Sequence, residues 1–356
     1  MDFAALIPTP DAIPVDWGWF YVLLMVTFLL HLLVMNAMLG GGIIALFSLF
    51  QGGEQNNLLG KEVGYKLPYT IAFAVNMGVA PLLFVQVLFG QFIYSSSVMM
   101  AVWWLSIIGL LILAYYAAYI YDFKFDALQG LRTLVLIFSV GILLFIGFMF
   151  SNNMTLMLQP EKWVAYLSNP GGTLLNAEDP TLWPRYLHFV IGAVAIAGLF
   201  LALVGHFGFT KSKVDPATLI ERGMSYFTKA TIIQIFIGLW FLVALPKEVM
   251  MVFMGKSAYG TALLTIGLVL AVALVYFGLK RNLLLTSVVA LIQMVVMILM
   301  RDLARFAYLK PYFHPADLQV TPEYSPLIFF LVVFAIGLVL IGYMIKLALG
   351  CKKEVA

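Results

Sequence analysis

Nine apolar runs, most of twenty residues or more and separated by short charged segments, limit what this chain can fold into. A helix needs roughly 20 apolar residues to cross the hydrocarbon core of a bilayer. Inside lipid every backbone N–H and C=O must find its partner within the protein, which leaves helices and closed barrels. Runs of this length select helices. The runs cover about 17–50, 67–97, 102–121, 131–157, 183–209, 227–246, 258–279, 282–300 and 325–349. Composition agrees, with 63% of the 356 residues hydrophobic and 10% charged. A mean hydropathy of +1.02 lies far outside the range of soluble domains.

The expected fold is therefore an all-α polytopic membrane protein. Residues 1–16 form a surface arm, 17–350 a single helical bundle, and 351–356 a cytoplasmic tail. The arm holds Pro8, Pro10 and Pro14 but no lysine or arginine, unlike a signal peptide. Nine crossings put the termini on opposite sides. With the N-terminus outside, inner segments carry 13 of the lysines and arginines and outer segments 7. The positive-inside rule thus places the N-terminus outside and the C-terminus in the cytoplasm. The expected location is the inner membrane of a bacterium or archaeon, and no nucleic-acid partner is expected. The single cysteine, Cys351, excludes an internal disulfide and the CxxCH attachment of a c-type haem.

Two intramembrane histidines draw the functional reading, because ionisable groups are costly in lipid and are functional by default. His31 lies mid-run in LLHLLVMNAMLGGG, and His188 lies one turn after Pro184. For each, the bland reading is a hydrogen bond to a neighbouring carbonyl, and the favoured one is an axial haem ligand. His206 is 18 residues beyond His188, on the same face and roughly 27 Å away. Beside Lys211, it reads equally well as an interface residue. His314, in KPYFHPAD, reads first as a surface residue. Asp302 and Arg305 are one turn apart on one helix face. They read either as a capping ion pair or as charges beside a haem propionate.

Four blocks together resemble subunit I of the cytochrome bd quinol oxidases. They are LHLLVMNAMLGGGIIAL around His31, AVNMGVAPLLFVQVLFGQFIYSSS around Gln86, NP…WPRYLHFVIGAVAIAG around His188, and Asp302-Leu303-Ala304-Arg305. The resemblance implies nine spans, an outward N-terminus, and His31 and His188 as ligands of high-spin and low-spin haem b. It also implies a membrane respiratory complex acting on quinol. The chain departs from the family's pattern where that pattern carries protons. A glutamate that the family places beside an active-site iron falls on Gln86, and no carboxylate lies between Trp103 and Tyr121. The family's methionine for the low-spin haem has no match near Leu264–Ile266; Met254, Met294, Met297 or His314 could replace it. The family's long quinol-binding loop shrinks to about 247–257, where Lys247 and Glu248 remain as a possible quinone contact.

These losses favour an electron-transfer subunit holding one to three haems b. It would pass electrons from quinol to a periplasmic acceptor such as a c-type cytochrome on another subunit. A divergent quinol:oxygen oxidoreductase, a haem-free scaffold and a transporter stand as alternatives.

Overall fold

The computed structural model describes residues 3–211 and 214–354, with side chains as far as Leu347. The expected tail, 351–356, is helical to Glu354, and 355–356 lie outside the described residues, as does the inner-side charge Lys213. Among the described residues 83% are helical and there is no strand. Nine helices among the described residues are long and apolar enough to cross a membrane. They are α1 (Trp17–Gln51), α2 (Leu67–Met99), α3 (Ala101–Phe123), α4 (Leu131–Leu156), α5 (Leu182–His206), α6 (Pro216–Ala244), α7 (Ala258–Leu279), α8 (Leu283–Leu309) and α9 (Ser325–Glu354).

Two boundaries differ from the apolar runs, each for a physical reason. Helix α6 begins at Pro216 rather than near 227. Asp215 caps it by accepting hydrogen bonds from the amides of Ala217 and Thr218, and Pro216 presets the first helical dihedral. Helix α8 continues past 300 to Leu309, carrying Arg301, Asp302 and Arg305 within its last turns. Hydropathy falls there, but Asp302 and Arg305 pair with each other, and Arg301 and Arg305 stack on phenylalanines inside the protein. In α2, Pro81 is absorbed without a break; the non-helical dihedrals fall instead at Phe89 (φ −136°, ψ 30°).

Helix α5 is the centre of the bundle. Its apolar stretch is 44% buried, against 28% or less for every other span. In lipid the hydrophobic effect does not press helices together, so close packing of small residues does. A Cβ at Gly40 of α1 would lie 2.0 Å from the carbonyl oxygen of Ala193 on α5. On the other side of α5, a Cβ at Gly198 would lie 2.6 Å from Gly223 O of α6, and one at Gly223 would lie 2.5 Å from Gly198 O. These helices touch backbone to backbone.

Helix α9 contrasts with α5, since none of its apolar stretch is buried. The chain before it is tied to the N-terminal arm. The Ile13 amide donates to Gln319 O at 2.8 Å, and the Thr321 amide donates to Ile13 O at 2.9 Å. The long connection after α4 folds over the same end of the bundle. Its buried Asp179 accepts from Gln159 and from the Thr181 amide (2.8 Å) and hydroxyl.

The α5–α6 contact gives a stability test. Gly198→Val should lower the unfolding free energy by roughly 1–3 kcal/mol through overpacking. Gly337→Val on α9, where nothing lies within 4 Å, should leave it unchanged. Thermal unfolding in detergent measures both, and equal midpoints for the two variants would contradict the packing.

Candidate functional site

A cavity of about 300 Å³ opens among α1, α5, α6, α7 and α8. Its walls follow helical periodicity. On α8 the stripe Gln293, Met294, Met297, Arg301, Ala304 and Arg305 steps by three and four residues along one face. On α5, Arg185, His188 and Gly192 do the same. Helix α6 supplies Gln234, Gly238 and Phe241, and α7 supplies Leu264, Gly267 and Leu268. Helix α1 closes the side with Phe28, Leu32 and Asn36.

His188 lies against α6, where a Cβ at Gly238 would come 3.3 Å from its Cε1. Its Nδ1 is buried and has no hydrogen-bond partner. Its backbone carbonyl accepts from Gln234 Nε2 at 2.9 Å, which pins the α5–α6 register at this level. The three methionines of α8, Met294, Met297 and Met300, share the cavity with it. An imidazole and thioethers are the donors that take a haem iron, and Gly192, Gly238 and Gly267 make room in the walls for the side chains of Gln234, His188 and Met297 respectively. The His188 ring suits such a ligand, because a buried nitrogen without a protein partner is uncommon.

The other histidines are placed differently. His31 faces α2, with Nδ1 3.0 Å from Ala74 O. A carbonyl only accepts, so Nδ1 carries the proton and Nε2 keeps its lone pair, the tautomer of a metal ligand with an oriented ring. His31 does not line the cavity; Phe28, whose ring centroid is 6.5 Å from His31's, lies at its wall. The structure therefore does not bring His31 and His188 into one site. His206, the last residue of α5, is exposed beside Phe207. His314 stacks on Phe306 (5.1 Å), meets Trp17 edge-on (5.5 Å) and accepts from the Ala316 amide through Nδ1. Gln86 is half-buried on α2, away from the cavity lining.

The remaining candidates also separate. Met254 is 52% exposed in the wide turn Val252–Lys256 and does not line the cavity, whereas Met294 and Met297 do. Lys247 and Glu248 are exposed just after α6. Glu248 pairs with Lys256 at 2.6 Å, and that hydrogen bond holds its carboxyl below the usual range. Among the described residues no three His, Cys, Asp or Glu side chains are grouped to hold a metal ion.

Asp302 and Arg305 form a buried ion pair at 3.1 Å. Both carboxylate oxygens and Arg305 NH1 still lack a geometrically sound hydrogen bond. Arg305 also stacks over Phe89 at 4.8 Å, which accounts for a side chain only 3% exposed. Two further arginines reach the cavity that the sequence reading passed over, Arg185 and Arg301. Arg185 stacks over Phe241 (5.1 Å) and Arg301 over Phe28 (4.4 Å). The signal was present in the sequence: Arg185 precedes His188 by three residues and Arg301 precedes Arg305 by four. Both offsets put the pairs on one helix face.

Protein-family models, curated proteins and solved structures yield no match to this chain. The likeness to bd-type subunits rests on the residue blocks alone.

Removing one partner of a buried ion pair leaves an uncompensated charge. Asp302→Leu should destabilise the protein by roughly 3–5 kcal/mol, and adding Arg305→Met should recover most of it. A double-mutant cycle by thermal or denaturant unfolding reads this. Additive losses would show that the pair is not coupled.

Proposed function

We propose that this chain is a haem-b-binding electron-transfer subunit of a membrane respiratory complex, related to subunit I of the bd-type oxidases. It passes electrons between membrane quinol and a periplasmic acceptor such as a c-type cytochrome held by a partner subunit. The observation that carries the reading is His188, whose buried Nδ1 has no protein partner among the described residues at the wall of a cavity shared with three methionines.

In this reading His188 of α5 would hold the haem, with Met294 or Met297 of α8 as a thioether donor from the same cavity wall. When bound, the haem supplies a reversible one-electron carrier. The chain's own residues do the rest. Phe28, Leu32, Leu264 and Leu268 exclude water. His188 is near the start of α5, at the end of the bundle where the arm and the 158–181 connection lie, so electrons need not cross the membrane to leave. The exposed Lys247–Glu248 segment after α6 is at that same end and is the proposed quinol contact.

Electron transfer is favoured over oxygen reduction because the proton-carrying groups are missing. Gln86 is an amide and cannot relay a proton, and α3 has no carboxylate between Trp103 and Tyr121. The setting is the cytoplasmic membrane of a bacterium or archaeon, with the N-terminus outside.

A reduced-minus-oxidised visible spectrum with pyridine haemochrome quantitation on purified protein tests the proposal. A b-type spectrum is expected, lost in His188→Ala and kept in His206→Ala. Haem-free protein, or a chlorin band with quinol-driven oxygen consumption, would overturn it.

A further inference from the structure

Three guanidiniums reach one cavity, and among the described residues only one of them has a carboxylate partner, so that Arg185 and Arg301 are left without one. Asp302 neutralises Arg305 at 3.1 Å. Arg185 has no ion pair, and its Nε is buried without a hydrogen-bond partner. Among the described residues the one polar contact of Arg301 is a weak one, NH2 to Met154 Sδ at 3.9 Å. Asp179 acts on Arg185 only at longer range; its oxygens are committed to Gln159 and Thr181. Stacking on Phe241 and Phe28 offsets part of the desolvation of the two cations. It does not replace a counter-ion, and a charge left unpaired inside a membrane protein faces a partner or a ligand.

Alternating spans place the start of α5 and the end of α8 at the same end of the bundle, so both cations lie there. Arg185 is one turn nearer that end than His188, and Arg301 one turn beyond Met297. The charge is therefore confined to one end of a cavity whose middle carries the imidazole and thioethers. An amide oxygen of Asn36, of Gln234 and of Gln293, all neutral, is left without a donor elsewhere on the wall.

We infer that this end of the cavity is a seat for a pair of carboxylates on one ligand, with Arg185 taking one and Arg301 the other. In the proposed function, on which this inference rests, the carboxylates are the two propionates of the haem. The seat then fixes the ring's orientation, with its propionate edge toward the arm and its vinyl-bearing part toward the apolar interior. Arg305, already neutralised by Asp302, stands behind them as a structural charge. A charge-assisted hydrogen bond contributes about 1.5–3 kcal/mol, on the order of ten-fold or more in affinity for each carboxylate.

The test reconstitutes haem-depleted full-length protein in detergent with two pairs of probes. These are protohaem and its dimethyl ester, and iron-free protoporphyrin IX and its dimethyl ester. The wild type is expected to bind each free acid at least ten-fold more tightly than its ester. Arg185→Gln/Arg301→Gln should abolish that preference, and Arg185→Lys/Arg301→Lys, which keeps the charges, should retain part of it. The lysine variant also guards against misfolding of the glutamine variant. Esters that bind as tightly as the acids to wild type, with a His188-dependent haem spectrum, would overturn the seat and leave the haem reading standing. Arginine-dependent binding of protoporphyrin IX without a His188-dependent haem spectrum would uphold the seat and overturn the haem ligation. Failure of all four probes to bind would overturn both.

Discussion

The backbone contact between α5 and α6 is the constraint on which the rest of the structure depends. At Gly198 and Gly223 each helix presents a carbonyl where the other's side chain would otherwise be. Contact at that distance fixes the two axes with little freedom to slide. The same register carries Gly192 to Gln234 and His188 to Gly238 further along the pair. The position of His188 therefore follows from Gly198, about three turns away on α5, and Gly223, about four turns from Gly238 on α6. Helix α1 reinforces the arrangement at Gly40, and α7 and α8 complete the cavity around it.

Charge inside this bundle is concentrated rather than dispersed. Arg185, Arg301 and Arg305 each lie over a phenylalanine, Phe241, Phe28 and Phe89 respectively. Aromatic faces are weak counter-ions, but they tolerate a cation without introducing an acid that would neutralise it. A site built this way keeps its positive potential available. An additional carboxylate beside Arg185 or Arg301 would have stabilised the protein alone at the expense of that potential.

The spans were legible in the sequence because each apolar run is long enough to decide its own fate in lipid. The ends were less so, and for one reason: hydropathy stops where polar residues begin, whereas a helix stops where its hydrogen bonds do. Asp215 and Pro216 start α6 well ahead of its apolar run, and Arg301–Arg305 extend α8 beyond its own. His188 stood out as an ionisable group in a membrane helix. Its surroundings did not, since Met294, Met297, Arg185 and Arg301 become neighbours only when α5 and α8 meet. Sequence offsets put Arg185 and His188 on one face, but no offset relates residues on different helices. The same limit left Met254 and His314 level with Met294 and Met297 as candidates until folding separated them.

The two backbone bonds that Ile13 makes with the chain ahead of α9 have a mechanical meaning. They buckle the N-terminal arm to the chain leading into α9, whose apolar stretch is unburied by the rest of the described residues. Helix α9 is thus moored rather than packed, and its mooring is the opening stretch of the polypeptide. During synthesis that clasp cannot close until α8 is through the membrane, so the arm waits unpaired for most of the chain's insertion. A load applied at Ile13 would pass to the chain leading into α9 as well as along the backbone into α1.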